Sequence, residues 1–236
     1  MTSTPPAIAA LQPLTAPKSR YRISDAVFTT LSESIRNLHL PPGSPISEPG
    51  IAASLQVSRS PVREAITRLV DLGLVTVVPQ VGSQIAPISI REVEEAVFIR
   101  RALETSAFQQ AIASGTPDTT GIQAHVDANL AAAEAGDLEA FFETDELLHQ
   151  AVFELAGVPR LWEVVRGTKM QLDRLRRLSL AGAVTNRELL GEHQQLVDAL
   201  AARDSAAGTR IIDRHATRVL TDTTRLRAEN PRYFAG

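Results

Sequence analysis

The sequence predicts a mainly α-helical protein, in which an N-terminal winged helix-turn-helix (three helices plus a β-hairpin) precedes an all-α antiparallel helical bundle. Before residue 90, three short amphipathic stretches are separated by turns rich in Pro, Gly and Ser, and a β-branched hairpin follows them. Beyond residue 90, apolar residues recur with a helical period and no strand pattern is visible. Hydrophobic residues make up 44% of the 236 residues, which is enough for a buried core.

The first two helices are delimited by turn residues and a cap. The first is predicted over residues 24–38, where apolar side chains form one stripe, and it ends at the Pro-Pro-Gly of residues 41–43. Ser47 then opens a second helix that runs through Leu55. The tight connection Gln56-Val57-Ser58 follows it.

The third helix and the hairpin complete this module. Ser58 or Ser60 is expected to cap the helix, and Pro61 falls in its first turn, where a missing N–H costs nothing. Two short strands are predicted at residues 74–78 and 84–86, joined by a turn. Three helices followed by a hairpin predict a winged helix-turn-helix.

The rest of the chain is predicted to form antiparallel helices joined by short breaks. We expect a disordered, proline-rich leader over residues 1–20, the winged domain over 21–87, and a domain for effector binding, metal binding and dimerisation over 88–230. The helices of this last domain are predicted near residues 90–114, 119–135, 137–156, 161–180, 186–203 and 205–229.

Composition excludes several classes of protein. The sequence has no cysteine, which excludes disulfide scaffolds, Fe–S clusters and Cys-type zinc fingers. The most apolar stretch, residues 69–81, is interrupted by Asp71 and Pro79 and is too short to span a membrane. The leader lacks a basic start before an apolar run, so it is not a signal peptide. We therefore expect a cytoplasmic protein with no membrane partner.

The distribution of charge points to a nucleic-acid contact in the first part of the chain. Residues 1–88 carry seven Lys or Arg against five Asp or Glu, whereas the remainder is acidic. In a helix-turn-helix, the start of the second helix of the motif enters the major groove, where a guanidinium pairs with guanine or a phosphate. The predicted DNA-contacting residues are Arg59, Arg63, Ser58, Ser60, Arg68 and, at the wing tip, Gly82. Solvated surface charge is the alternative for these arginines.

This half also resembles the N-terminal domain of GntR-type bacterial transcription regulators. The resemblance is carried by Pro42-Gly43, by Ser47-Glu48 and, most specifically, by the run Val57-Ser-Arg-Ser-Pro-Val-Arg-Glu-Ala65. It implies that Arg59 and Arg63 touch operator DNA and that Gly82 is a wing glycine. The chain departs from the family pattern at Pro49, where a basic or polar residue is common, which puts the contact from that position in doubt.

Four polar residues interrupt the apolar stripes of three helices in the second half. Asp145 and His149 lie one turn apart on the inward face of one helix, and His193 and His215 interrupt the stripes of two others. Buried polar groups must find partners, and one carboxylate with three imidazoles can do so around a divalent cation. A satisfied core pair is the alternative. His125 and His39 lie at a stripe edge and in a turn, so we expect them to be structural or solvated.

The ligand set contains no sulfur, and we expect Zn²⁺ first, with Ni²⁺ and Mn²⁺ as alternatives. Arg100 also falls between inward apolar residues, and an inward guanidinium needs an anion. Two interpretations stay open for it. It pairs internally with Asp145 or Glu104, or it clamps the carboxylate or phosphate of a ligand.

This second half resembles the FCD domain, the C-terminal effector domain of FadR-like GntR regulators. The resemblance is carried by Arg100-Arg-Ala-Leu-Glu104, Asp145-x-x-x-His149, Glu192-His193 and His215. It implies a helical bundle whose metal is held by Asp145, His149, His193 and His215, with Arg100 meeting a carboxylate effector. The chain departs from the family pattern at Leu148, which was expected to reshape the pocket, and at Val158, which alters a cap.

Together, the residues and the two resemblances predict a DNA-binding transcription regulator, expected to be a repressor and not an enzyme. Its expected partners are double-stranded operator DNA, a small anionic carboxylate effector and a second copy of itself, since paired helix-turn-helix units read palindromic sites. Two alternatives remain from the sequence. One is a metal-dependent hydrolase-like enzyme, and the other is a regulator for which the metal itself is the signal.

Overall fold

A computed structural model describes residues 6–14, 20–78 and 82–235 of the chain. The chain forms two compact units, one of Met1–Ile90 together with Arg227–Gly236 and one of Arg91–Leu226. The mainly helical fold class is confirmed, with a small sheet in the first unit and helices throughout the second. None of the helices in the described ranges is long and apolar enough to cross a bilayer.

The three predicted helices and a three-stranded antiparallel sheet form most of the described part of the first unit. The helices are α2 (Arg20–Arg36), α3 (Glu48–Leu55) and α4 (Arg59–Asp71). Strands β2 (Val75–Val78) and β3 (Gly82–Ile85) form the predicted hairpin, whose tip, residues 79–81, lies outside the described residues.

A third strand, β1 (Pro45–Ile46), extends this sheet on the other side of β3 and was not predicted. Pro45 lies opposite Gln84 and Ile46 opposite Ser83. Two residues, one of them a proline, are too few to show an alternating pattern. The strand nevertheless fixes the hairpin to the segment that leads into α3.

Local chemistry explains the position of α3. The Ser47 side chain accepts a hydrogen bond from the Gly50 N–H at 3.2 Å, as predicted for an N-cap, and Pro49 occupies the first turn. Gln56 ends the helix in the left-handed region with φ 56°. Ser58 takes the N-cap position of α4 in extended backbone, although its side chain makes no capping hydrogen bond.

Part of the predicted disordered leader is folded in the described residues. α1 (Pro6–Ala9) packs against α3, Ile8 is completely buried, and the Leu14 N–H donates to the Leu55 carbonyl. The prolines suggested disorder, but a single large apolar side chain was enough to bind this stretch to the winged domain. Residues 1–5 and 15–19 lie outside the described residues.

The second unit contains seven helices, and the last helix of the chain starts within it. Two of the predicted helices are each divided in two. The stretch expected at 161–180 breaks at Lys169, whose buried ammonium donates to Glu146 and Asp173. The stretch expected at 205–229 breaks at Asp222. The helices are α5 (Ile90–Ala113), α6 (Thr120–Ala135), α7 (Leu138–Leu155), α8 (Arg160–Thr168), α9 (Met170–Ala183), α10 (Arg187–Ala201), α11 (Ser205–Thr221) and α12 (Thr223–Glu229).

After α12 the chain returns to the first unit. A short 3₁₀ turn (Pro231–Tyr233) leads into a parallel bridge between Phe234 and Ile88. The Ile88 N–H donates to the Tyr233 carbonyl at 2.7 Å, and the Ala235 N–H donates to the Ile88 carbonyl at 3.0 Å. We call residues 227–235 the returning segment, which was not predicted because its few apolar residues show no period.

The core of the second unit is closed by a tight contact between α5 and α11. Phe108 on α5 is fully buried, and its ring lies directly over Gly208 on α11. A Cβ at Gly208 would lie 2.1 Å from Phe108 Cε1, far inside van der Waals contact. Only glycine therefore allows the two helices to approach this closely.

We expect Gly208→Ala to lower the free energy of unfolding by about 1–3 kcal/mol, because the buried ring has to move. Gly191→Ala on α10 is the matched control, since its nearest neighbour would be the flexible Gln195 side chain at 3.7 Å. It should raise stability by about 0.5–1 kcal/mol, the usual gain for alanine inside a helix. Urea denaturation followed by circular dichroism measures both, and equal stability of the two variants would contradict the packing argument.

Candidate functional site

The structure brings together the four side chains that interrupt the apolar stripes. Asp145 and His149 project from α7, His193 from α10 and His215 from α11. Their potential ligand atoms all lie within 4.8 Å of one another in the interior of the bundle. Three helices thus present one carboxylate and three imidazoles to a common point.

The inward-facing atoms of this cluster satisfy one another only in part by hydrogen bonding. His149 Nε2 and His215 Nε2 lie 3.1 Å apart and can share at most one proton. His193 Nε2 lies 3.3 Å from Asp145 Oδ1 but makes no hydrogen bond within the described part of the chain. Buried, unpaired nitrogen lone pairs facing a carboxylate are what a bound cation would satisfy.

The outward-facing nitrogen of each ring lies beside an acceptor. His193 Nδ1 is 3.1 Å from Asn129 Oδ1, and His215 Nδ1 is 3.1 Å from Glu192 Oε2. His149 Nδ1 is 3.1 Å from Glu104 Oε2, although the pair is not aligned as a hydrogen bond. Acceptors behind Nδ1 favour the tautomer in which Nε2 carries the lone pair, as in metal-binding histidines.

Electrostatics keep these groups in the protonation states that a metal requires. Burial lowers the pKa of His149, and the neighbouring Arg100 charge lowers it further. Burial also lowers the pKa of His215 to about 3, despite its hydrogen bond with Glu192. Burial alone would raise the pKa of Asp145, but Arg176, His193 and His149 together outweigh burial and hold that pKa well below its usual value. His149 and His215 are therefore neutral and Asp145 is ionised, the states in which these groups can hold a metal ion.

Arg176 on α9 is a site residue that the sequence did not reveal. Its guanidinium donates to Asp145 Oδ2 and, at 2.7 Å, to Glu146 Oε1. Against the effect of its partial burial, Lys169 and Arg176 lower the pKa of Glu146 to about 2. Arg176 lies in an arginine-rich stretch whose charges resemble a solvated face, so its inward position depends on how α9 packs.

Of the two interpretations given for Arg100, the structure shows the internal ion pair. Its Nε donates to Glu104 Oε1 at 2.7 Å, and Asp145 is paired with Arg176 instead. The Arg100 Nη2 atom is buried and has no hydrogen-bond partner among the described residues. One edge of the guanidinium is therefore still available for an anion.

A cavity of about 340 Å³ adjoins the cluster and is lined by both charged and apolar side chains. Asp145 and His215 form the part of its wall that belongs to the cluster. Leu148, expected to reshape this pocket, lies in the hydrophobic core and is not among the lining residues. The other lining residues that matter here are Arg100, Arg176, Arg218, Arg225, Phe141, Leu180, Leu189 and Val219.

The helix-turn-helix of the first unit presents the predicted DNA-contacting arginines unequally. Arg59 and Arg63 are exposed and lie one turn apart at the start of α4, and Ser58 and Ser60 beside them are also exposed. The Arg63 side chain is 70% exposed and pairs with Glu48 at 3.1 Å. The first turn of α4 therefore presents two guanidinium groups and two hydroxyls to solvent.

Arg68 lies on a different side of α4. Five residues after Arg63, a helix has turned about 500°, which leaves Arg68 about 140° away around the axis. Its guanidinium pairs with Asp25 at 2.7 Å and stacks on the Phe28 ring at 3.9 Å. At the wing, Gly82 has φ 116°, a conformation that favours glycine.

The two histidines expected to lie outside the site do so. His39 is exposed in the turn after α2, and His125 is half-buried on α6. Neither belongs to the cluster of potential ligands. Val158 packs against the edge of the core after α7.

Two family models match this chain in the order that the fold suggests. Residues 23–85 match the bacterial regulatory proteins of the gntR family, and residues 95–218 match the FCD domain. The chain belongs to the GntR family of bacterial transcription regulators. Both resemblances seen in the sequence are confirmed, and this GntR regulator has the FCD domain of the FadR-like subfamily. Its family consists of DNA-binding transcription regulators, not enzymes, which excludes the hydrolase-like alternative.

Relatives of this regulator align over nearly the whole chain. A regulator from an unstable DNA locus of Streptomyces ambofaciens is 34% identical, over 89% of this chain and 88% of its own. The transcriptional repressor RspR of Escherichia coli K12 is 29% identical, over 90% of this chain and 94% of its own. The solved structure of E. coli McbR has a TM-score of 0.68 at 24% identity and covers 88% of this chain and 98% of that one. This structural likeness supports the fold.

Substituting one residue of the cluster tests whether it binds a metal ion. We expect His149→Ala and His215→Ala each to reduce bound divalent metal from about one ion per chain to near zero, because a site with three of its four ligands left binds far more weakly. His125→Ala, outside the cluster, is the matched control and should keep full occupancy. Elemental analysis of the purified proteins measures the metal content. Full occupancy in both ligand variants would contradict the metal site.

Proposed function

We propose that this GntR regulator represses transcription as a homodimer and that a small carboxylate, bound next to a divalent metal in the bundle, changes its affinity for operator DNA. The observation that carries the proposal is that the cluster Asp145, His149, His193 and His215 adjoins an arginine-lined cavity, with Asp145 and His215 on the cavity wall. The relative RspR is named a repressor, which supports repression here. Dimerisation follows from the way in which paired helix-turn-helix units read palindromic DNA.

The metal is assigned to Asp145, His149, His193 and His215, with Zn²⁺ as the first choice and Ni²⁺ or Mn²⁺ as alternatives. Three nitrogen ligands and one oxygen ligand suit Zn²⁺ in a tetrahedral site, and the absence of sulfur leaves the harder metals open. When bound, the ion would supply a positive centre that attracts an anion in the cavity. Arg176 holds Asp145 in place and leaves Oδ1 directed toward His193.

The effector is assigned to the cavity on the basis of charge and size. Arg100 offers an unpaired Nη2 edge, and Arg176 and Arg218 lie on the same wall. A volume of about 340 Å³ is at the small end of ligand pockets, which range from about 300 to 1,000 Å³. Apolar side chains on the remaining wall suit the carbon skeleton of a small carboxylate metabolite.

DNA contact is assigned to the first turn of α4 and to the wing. Arg59 and Arg63 would enter the major groove, with Ser58 and Ser60 donating to phosphates. The exposed ion pair between Arg63 and Glu48 contributes little to stability in water, so Arg63 can exchange Glu48 for a contact with DNA at a small cost in free energy. Gly82 leaves room for the backbone at the wing. Arg68 would have to leave Asp25 to touch DNA, so its contact stays a prediction.

An effector that prefers one arrangement of the bundle helices would shift the population of DNA-binding and non-binding dimers. Thermodynamic linkage requires that the effector and the operator affect each other's affinity by the same factor. An effector with equal affinity for both arrangements would leave repression unchanged.

The DNA assignment predicts a selective loss of operator affinity. We expect Arg59→Ala and Arg63→Ala each to weaken binding about 5–150-fold, because a bidentate contact with guanine accounts for about 1–3 kcal/mol. Arg91→Ala, an exposed arginine on α5 that pairs with Glu95, removes the same charge as a control and should have little effect. Fluorescence anisotropy with an operator selected from random duplexes by the wild-type protein measures the affinities. Unchanged affinity in both α4 variants would refute the assignment.

A second measurement separates effector sensing from metal sensing. Operator affinity is measured for chelator-treated protein, for Zn²⁺-loaded protein and for Zn²⁺-loaded protein with a panel of four- to six-carbon carboxylates. We expect at least one carboxylate to change the affinity by about 5–150-fold, the usual range of allosteric coupling, and the response to disappear in Arg100→Ala. A full response to Zn²⁺ alone, with no carboxylate effect, would make the metal itself the signal.

A further inference from the structure

Two buried carboxylates, Glu104 on α5 and Glu192 on α10, lie directly behind the histidine cluster and have no role in the function proposed above. Their side chains are 2% and 1% exposed. An ionised carboxylate inside a protein needs donors around both of its oxygens. Each of these two has a histidine of the cluster on one side and an arginine of the cavity on the other.

Glu104 lies between Arg100 and His149. Its Oε1 accepts a hydrogen bond from Arg100 Nε at 2.7 Å, while its Oε2 is 3.1 Å from His149 Nδ1. Arg100 lines the cavity, and the Nε2 of His149 faces the other ligands. One carboxylate thus separates an anion-binding group from a metal-binding group.

Glu192 repeats this arrangement on the opposite side of the cluster. Its Oε2 is 3.1 Å from His215 Nδ1, and its Oε1 accepts from Arg218 Nη2. Arg218 lines the cavity, as Arg100 does. A second arginine, Arg214, donates to Oε1 from outside the cavity at 2.6 Å, so Glu192 keeps a cationic partner when Arg218 is removed.

The third ring is held differently. His193 Nδ1 faces the amide oxygen of Asn129, which is neutral. The Asn129 amide nitrogen donates to the Phe141 carbonyl and to Thr144 Oγ1. Asn129 therefore orients His193 without linking it to a charged group of the cavity, and it provides a comparison inside the same site.

We propose that Glu104 and Glu192 are positioning residues through which an anion paired with Arg100 or Arg218 acts on His149 and His215, so that an anion in the cavity tightens metal binding. This inference rests on the metal and effector site proposed above. A carboxylate shared by a guanidinium and an imidazole N–H divides its negative charge between them. When an anion compensates the guanidinium, the carboxylate acts more strongly on the ring and makes the opposite nitrogen a better ligand.

Linkage makes this effect reciprocal. If an anion at the arginines tightens metal binding, then an occupied metal site tightens anion binding by the same factor. The cavity would bind its effector well only when the cluster is loaded. The regulator would then respond to the presence of both molecules together.

The test uses Co²⁺ alone, bound to chelator-treated full-length protein and followed through its visible absorption. Replacing Arg218 with Gln removes the positive charge that an anion would compensate. We expect Arg218→Gln to tighten Co²⁺ binding about fivefold or more, within the usual range of coupling between sites. Glu192→Gln should weaken Co²⁺ binding about 10–100-fold, as loss of a partner behind a metal ligand does. The double variant, which carries both Arg218→Gln and Glu192→Gln, should bind Co²⁺ with an affinity within about twofold of that of Glu192→Gln alone.

Asn129→Ala is the matched control. It should weaken Co²⁺ binding through His193 but leave the effect of Arg218→Gln intact. The same set of single and double variants, made with Arg100→Gln and Glu104→Gln, tests the other carboxylate, Glu104. Because Glu192 is buried, circular dichroism checks each fold, and Glu192→Asp, which keeps the charge but withdraws it from His215, replaces Glu192→Gln if the latter unfolds.

Two outcomes would overturn the inference while the metal site stands. One is Co²⁺ binding that Arg218→Gln does not change, and the other is tightening of equal size with and without Glu192, which indicates direct repulsion through space. Wild-type protein that binds no Co²⁺ would instead overturn the proposed metal function, and the inference with it. A failure of the inference is therefore distinguishable from a failure of the proposed metal function.

Discussion

The helical bundle depends on one electrostatic constraint, namely that each charge inside it must have a partner of opposite sign. Arg100, Glu104, Asp145, Lys169 and Glu192 are all buried, and an unpaired charge at any of these positions would cost several kcal/mol. The bundle meets the constraint partly within one helix, as in the Arg100–Glu104 pair of α5, and partly between helices. Arg176–Asp145 joins α9 to α7 and Arg218–Glu192 joins α11 to α10, and α7, α10 and α11 are the helices that carry the three histidines.

The ligand cluster could be predicted because its members violate a local pattern. Histidines and an aspartate in the middle of apolar stripes have few explanations, and the helical period gives the direction in which each of them points. Arg176 violates no such pattern, since an arginine next to other arginines looks solvated. Its role depends on the packing of α9, and the break at Lys169 that directs this helix is not visible in the apolar period either.

In the first unit, the elements with a strong local signal were predicted and the weak ones were not. Caps, prolines and β-branched residues mark α3, α4 and the hairpin, whereas β1 is too short to have a pattern of its own. The exposed arginines illustrate a different limit. Sequence spacing places Arg59 and Arg63 on one face, but only the packing of α2 against α4 brings Asp25 and Phe28 to Arg68.

The returning segment has a consequence for the order of events during synthesis. The first unit is built from two stretches of chain, and the entire bundle is translated between them. Domains generally fold as units while the ribosome is still at work, beginning from the N-terminal side. Here Ile88 must wait for Tyr233 and Ala235 before its backbone is paired, so the first unit of a nascent chain acquires this last strand-like contact only after the helical bundle has emerged.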